Sequence, residues 1–153
     1  MARKRSFLPE DLTPYTGCDA DEMLGLDSLA IGWLDRRTNF VEGNVPKGFI
    51  EKLKAFCHPS LAVCTVGKAR PCGLDHHTVA PIDFDGESFR LGAAEIRVIG
   101  EEDIFAAPNL IYHYVTEHRY RPPQTFLDAV MSGPQPDSAE YKALIRTLQQ
   151  FSS

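Results

Sequence analysis

Phe89-Arg90-Leu91 and Ala94-Glu95-Ile96-Arg97-Val98-Ile99 are the stretches that set the fold class of this 153-residue chain. In the second, Ala94, Ile96 and Val98 alternate with Glu95 and Arg97, the period of two expected of a strand with one face toward a core. Just upstream, Asp85-Gly86 is a tight-turn signal that would fold these residues back on a strand over Thr78 to Ile82. Leu61-Ala62-Val63-Cys64-Thr65-Val66 and Leu29-Ala30-Ile31-Gly32-Trp33-Leu34 are two further short apolar runs with the length of strands. Between them, Pro46 fits the first position of a helix, where its missing N–H costs nothing. Phe49, Ile50, Leu53 and Phe56 follow at helical spacing until Pro59.

Downstream the period changes. Gly100 ends the alternation, Pro108 opens a helix through about Tyr120, and Pro122-Pro123 opens another ending near Gly133. Asp137 with Glu140 is a capping-box pattern ahead of Tyr141, Leu144, Ile145 and Leu148. Strands gathered first and helices after them read as α+β, not as a doubly wound parallel sheet. The expectation is a small, mainly antiparallel sheet over 28–35, 60–66, 76–82 and 89–99. Helices near 46–57, 108–120, 122–132 and 138–150 follow, with the C-terminal ones packed on the sheet. Trp33, Phe49, Leu53, Val63, Ile96, Val98, Ile111, Tyr114 and Val115 are the expected core. Residues 1–25, with Pro9, Pro14, Gly17 and several acids, read as an N-terminal arm over a single domain spanning 26–153.

Composition narrows the function classes. A hydrophobic share of 43% and a charged share of 24% are globular values. The net charge of −5 argues against nucleic acid as a partner, since such binders concentrate basic residues on one face. The one basic run, Arg3-Lys4-Arg5, is too short for an interaction tail. No stretch approaches the ~18 apolar residues of a membrane span. Phe7-Leu8-Pro9-Glu10-Asp11 stands where a signal peptide needs an apolar segment. These features read as an unexported, cytoplasmic protein, so Cys18, Cys57, Cys64 and Cys72 are expected as four free thiols or metal ligands.

Phosphate-binding, dinucleotide-binding, nucleophile-elbow and HExxH zinc motifs are all missing from the sequence. The residues with chemistry to offer are Cys72 and His76-His77, in a loop holding Pro71 and Gly73, and His113 and His118 on one expected helix. A thiolate with imidazoles is a zinc set. Five residues on an ideal helix turn through about 140°, so both histidines reach one ion only if the last turn distorts. The alternative is a packed, hydrogen-bonded His118 and a surface His113. Cys57 and Cys64 read as small core residues.

Two blocks resemble an uncharacterised bacterial domain family. The first is Ile31-Gly32-Trp33-Leu34-Asp35 followed by Phe40, Gly43, Pro46 and Phe49 to Leu53. The second is Leu91-Gly92 with Ala94-Glu95-Ile96-Arg97-Val98, then Ala106-Ala107-Pro108, Leu110-Ile111-Tyr112-His113-Tyr114-Val115, His118, Tyr120 and Pro122-Pro123. That family has no assigned activity. The resemblance implies a CxxC pair between the blocks which, with the helix histidines, looks like a zinc site. Cys72 matches the first cysteine, Asp75 stands at the second, and His76 is next to it. The expected ligand set is therefore Cys72, His113 and His118 with Asp75 or His76.

Taken together, the sequence points to a non-enzymatic cytoplasmic module that binds an as yet unknown protein partner, with zinc as its candidate structural ion. Two rival readings stand beside it. One is a small metal-dependent hydrolase using three of these ligands, with Asp75 or Glu117 as base. The other is an acidic immunity-type inhibitor of a basic protein.

Overall fold

The computed structural model describes residues 8–15, 18, 21, 25, 27–65 and 68–151. Arg3-Lys4-Arg5 and much of the expected N-terminal arm lie outside them. Six strands and four α-helices follow one another along the described chain. They are β1 (Pro14–Tyr15), β2 (Ser28–Ala30), α1 (Phe49–Phe56), β3 (Ile82–Phe84), β4 (Glu87–Phe89), β5 (Glu95–Ile99), β6 (Ile104–Pro108), α2 (Ile111–Glu117), α3 (Gln124–Ser132) and α4 (Ala139–Phe151). The fold is α+β, with a small mainly antiparallel sheet and C-terminal helices.

The main sheet runs β1-β2-β6-β5, and β3 pairs with β4 in a separate hairpin around Asp85-Gly86. β5 and β6 are antiparallel from Glu95 opposite Pro108 to Ile99 opposite Ile104. β2 joins β6 in parallel, Ser28 opposite Ile104. β6 is thus an interior strand that the sequence reading did not anticipate. Its Ala106-Ala107-Pro108 is poor in intrinsic strand preference, and Pro108 imitates a helix opener. Here Pro108 is the last strand residue, and both alanines are fully buried between neighbours.

Other expected strands are shorter or absent. Residues 28–35 keep strand pairing only to Ala30, because Gly32 turns the chain at φ 75°. A Cβ at Gly32 would also come within 2.9 Å of Ile111 Cδ1. Of the strand expected at 60–66, residues 60–65 form none, and Val66 lies outside the described residues; Pro59–Leu61 makes a short 3-10 turn, and Val63 contributes a single bridge to Glu95. Residues 76–81 lack strand pairing, and 89–99 divides into β4 and β5 around the bend at 91–93. The four expected helices are present with shorter N-terminal ends.

Aromatic packing ties the helices to the sheet. Phe126 of α3 meets Phe49 of α1 at 6.3 Å and Phe105 of β6 at 5.7 Å between ring centroids. Tyr141 of α4 meets Phe56 edge-on at 5.3 Å, and its hydroxyl donates to the Arg97 carbonyl. Of the expected core residues, all are buried except Trp33. Trp33 is half-buried, stacked on Tyr15 at 5.0 Å with its indole N–H donating to the Ala106 carbonyl.

The alternation in β5 does not leave a wet face. Arg97 is fully buried under N-terminal residues, where it pairs with Asp21 and, at 3.0 Å, with Glu95. The other oxygen of Glu95 accepts from the Tyr15 hydroxyl at 2.6 Å. Burial tends to push the Glu95 carboxyl up, against the pull of the neighbouring guanidinium. Cys18 is buried and bonded to Cys64 as a disulfide, with 6.1 Å between Cα atoms. This corrects the expectation of four free thiols; Cys57 and Cys72 are the free pair. Spacing could not reveal the pair, since the two cysteines lie 46 residues apart.

Two outcomes follow. Thiol titration of metal-free, unfolded protein under non-reducing conditions should find two free thiols; four would remove the disulfide. Arg97→Ala should lower stability to urea by about 3–5 kcal/mol at pH 7, because it strands a buried carboxylate. A loss under about 1 kcal/mol would show that the pair carries little.

Candidate metal centre

The site begins with the loop after Arg70. Gly73 lies against the backbone of the first block: a Cβ there would sit 2.1 Å from the Leu34 carbonyl oxygen. The Gly73 amide donates to the Tyr114 hydroxyl at 3.0 Å, and that hydroxyl reaches the Leu34 carbonyl at 3.5 Å. Burial pushes the Tyr114 phenol up to about 12, so it stays a neutral anchor. Tyr114 is on α2, and the loop is thereby pinned to the helix that carries the histidines.

Within the loop, the Cys72 amide donates to the His77 carbonyl at 3.0 Å and the His76 amide to the Cys72 carbonyl at 2.9 Å. This tight turn aims two side chains one way. The Leu74 amide donates to Cys72 Sγ at 3.3 Å, and the His77 amide donates to Asp75 Oδ1 at 2.9 Å. Each candidate ligand is held by the amide two residues on, and Asp75 keeps Oδ2 free of that bond. His76 is exposed, with φ 63°, and does not join the group.

The helix end supplies the other half. α2 stops at Glu117, and His118 follows with φ −114° and ψ 4°, its amide still bonded to the Tyr114 carbonyl. Arg119 then takes φ 58° and lets the Tyr120 amide share the same carbonyl. This unwinding brings His118 round to His113, with ring centroids 5.1 Å apart. Both imidazoles are half-buried.

Cys72, Asp75, His113 and His118 form one group whose ligand atoms all lie within 4.8 Å of one another. His118 Nε2 is 3.4 Å from Cys72 Sγ and 3.4 Å from Asp75 Oδ2. Ligands on one tetrahedral zinc are separated by roughly 3.3–3.6 Å, as follows from bond lengths near 2.1 and 2.3 Å. His113 Nε2 is buried with no hydrogen-bond partner among the described residues. A buried imidazole nitrogen without a partner is costly unless something occupies its lone pair. Burial lowers the basicity of His113 and raises the Cys72 thiol, whereas the His77 amide holds the Asp75 carboxyl down. The imidazole is therefore in its ligating, neutral form near neutral pH.

The family model of a domain of unknown function, DUF7919, matches residues 8–131. The chain belongs to this family. No curated protein and no solved structure matches it. The DUF7919 span contains the whole group of candidate ligands, both strands that flank β6, and helices α1 and α2. Only the last residue of α3 and all of α4 lie beyond it.

The other histidines are placed differently. His77 contributes backbone groups only, and His58 accepts at Nδ1 from the Ser60 amide at 3.1 Å while Nε2 meets Glu87 at 3.0 Å. The part of the site that sequence reading missed is the Tyr114 anchor, which was legible only as one more residue on the apolar stripe of α2. Tyr114→Phe should cost about 1–3 kcal/mol of stability, the range for stranding a buried N–H. It should also raise amide exchange at Gly73 above that of β5 and β6. Unchanged exchange at Gly73 would show that the hydroxyl does not hold the loop.

Proposed function

We propose that this domain is a non-enzymatic protein-binding module in which a structural zinc ion, held by Cys72, Asp75, His113 and His118, fastens the 72–77 loop to the end of α2. The observation that carries the reading is the meeting of four ligand-type side chains from two separate segments, with His113 Nε2 otherwise without a partner. Thiolate and imidazole with one carboxylate suit zinc better than magnesium or calcium, which take oxygen ligands. Four protein ligands describe a closed, structural site; a catalytic zinc keeps a place for water. Asp75 supports the closed form, since the His77 amide orients it with Oδ2 turned toward His118. That geometry gives Asp75 the place of a ligand and not of a free base, which weighs against a metal-dependent hydrolase.

The net charge of −5 would favour a protein partner of basic character. Among the described residues no helix is long and apolar enough to cross a membrane. The cytoplasmic placement read from the sequence stands against the Cys18–Cys64 disulfide, which a reducing compartment would hold open as thiols.

Protein purified without added metal should contain close to one zinc per chain by elemental analysis. Cys72→Ser and His113→Ala should each remove most of that metal and lower the melting temperature to that of chelator-treated protein. Zinc loss should steepen as pH falls, because protons compete for the same thiolate and imidazole nitrogens. Chain free of metal, with a melting temperature indifferent to chelator and to Cys72→Ser, would overturn the reading.

A further inference from the structure

A second site lies on the other side of the metal loop. Pro71 and Gly73 flank Cys72 and also line a half-open cavity of about 140 Å³. Its walls are apolar or aromatic: Trp33 and Leu34 from the first block, and Pro108, Leu110 and Tyr114 from the end of β6 and the start of α2. Its floor is made of small residues at 92–94. The polar atoms facing this space are largely committed to the protein. Trp33 Nε1 donates to the Ala106 carbonyl, the Tyr114 hydroxyl holds the Gly73 amide, and the two Glu95 oxygens are taken by Tyr15 and Arg97. An empty cavity of about 150 Å³ with apolar walls accepts a single benzene ring. The remaining charged residue of the lining is Arg70, exposed, with no side-chain partner among the described residues.

We propose that this cavity binds a small aromatic carboxylate, ring in the cavity and carboxylate on Arg70, either as a free acid or as the C-terminal residue of a polypeptide. An apolar slot with one uncommitted charged residue in its lining has the composition usual for a small-ligand site. A guanidinium matches a carboxylate in geometry as well as charge, through two parallel hydrogen bonds. The inference extends the reading of the domain as a binding module, because a C-terminal aromatic residue is a feature that a partner protein can present. The metal loop supplies one wall, so zinc would shape the slot without touching the ligand.

Trp33 lines the cavity and is the single tryptophan of the chain, so its emission reports occupancy directly. The purified full chain is titrated with phenylacetate, with benzylamine as the opposite charge on the same ring, and with benzyl alcohol as the neutral form. Phenylacetate should change Trp33 emission saturably and at least tenfold more tightly than benzylamine. Arg70→Ala, an exposed position, should weaken phenylacetate at least tenfold and leave benzyl alcohol unchanged. A tripeptide ending in phenylalanine is compared with its C-terminal amide. Binding of the peptide acid but not the amide assigns the site to a chain terminus, and binding of phenylacetate alone assigns it to a free acid. No saturable change with any of these probes, or equal affinity for phenylacetate and benzylamine, overturns the proposal. Zinc content is measured separately on the same samples. Zinc-loaded protein that ignores every probe sinks this inference alone, and zinc-free protein that binds phenylacetate sinks the zinc reading alone.

Discussion

The hydrogen bond from the Gly73 amide to the Tyr114 hydroxyl is the constraint on which the candidate site depends. It joins a loop with little regular structure to the middle of α2, one residue after His113. With Leu34 directly beneath Gly73, the loop is fixed on two sides, and only a residue without a Cβ fits between. Cys72 and Asp75 then have their positions set by neighbouring amides before any ion is considered. Preorganisation of this kind matters because ordering a free loop costs roughly 1–2 kcal/mol per residue in backbone entropy. A zinc ion bound here would hold a shape that the chain already favours.

A second, independent constraint operates beneath the N-terminal residues. Arg97 leaves its place in an alternating strand pattern to become a fully buried cation, matched by Asp21 and Glu95 and covered by the Tyr15 ring at 5.6 Å. The Cys18–Cys64 disulfide closes the same side. Charge burial of this kind adds little net stability, yet it penalises any arrangement in which Asp21 and Arg97 fail to meet. Asp21 is thereby held beside β5. Asp11 acts similarly, accepting from the Gly32 amide and from the Tyr120 hydroxyl, so the two sequence blocks are clamped through one carboxylate.

Much of the site was legible in the sequence because its residues are chemically unusual for where they stand. A cysteine in a Gly/Pro loop and two histidines on an amphipathic helix have few reasons to coincide. The distortion needed to bring His113 and His118 together was foreseeable from the 140° of an ideal helix, and His118 provides it by leaving helical geometry at φ −114°. The choice between Asp75 and His76 was not, since it turns on which of two adjacent residues takes a positive φ. The fold was legible at the level of class and helix positions. β6 was not, because Ala106, Ala107 and Pro108 become strand residues only through pairing with β2 and β5 on both sides. Tertiary pairing overrode local preference there, as it does where small side chains are wanted between tightly packed neighbours. The Cys18–Cys64 pairing was hidden for a related reason: nothing local links two residues 46 apart in the chain.

The central claim is that four side chains complete the coordination of one zinc ion, leaving no position for water. X-ray absorption at the zinc edge of protein purified without added metal tests it directly. The account predicts four-coordinate zinc with one sulfur near 2.3 Å and three nitrogen or oxygen ligands near 2.0–2.2 Å, and a spectrum of Cys72→Ser protein, with zinc added back, that has lost its sulfur. A five- or six-coordinate ion, or a zinc shell without sulfur in the unmodified chain, would contradict it.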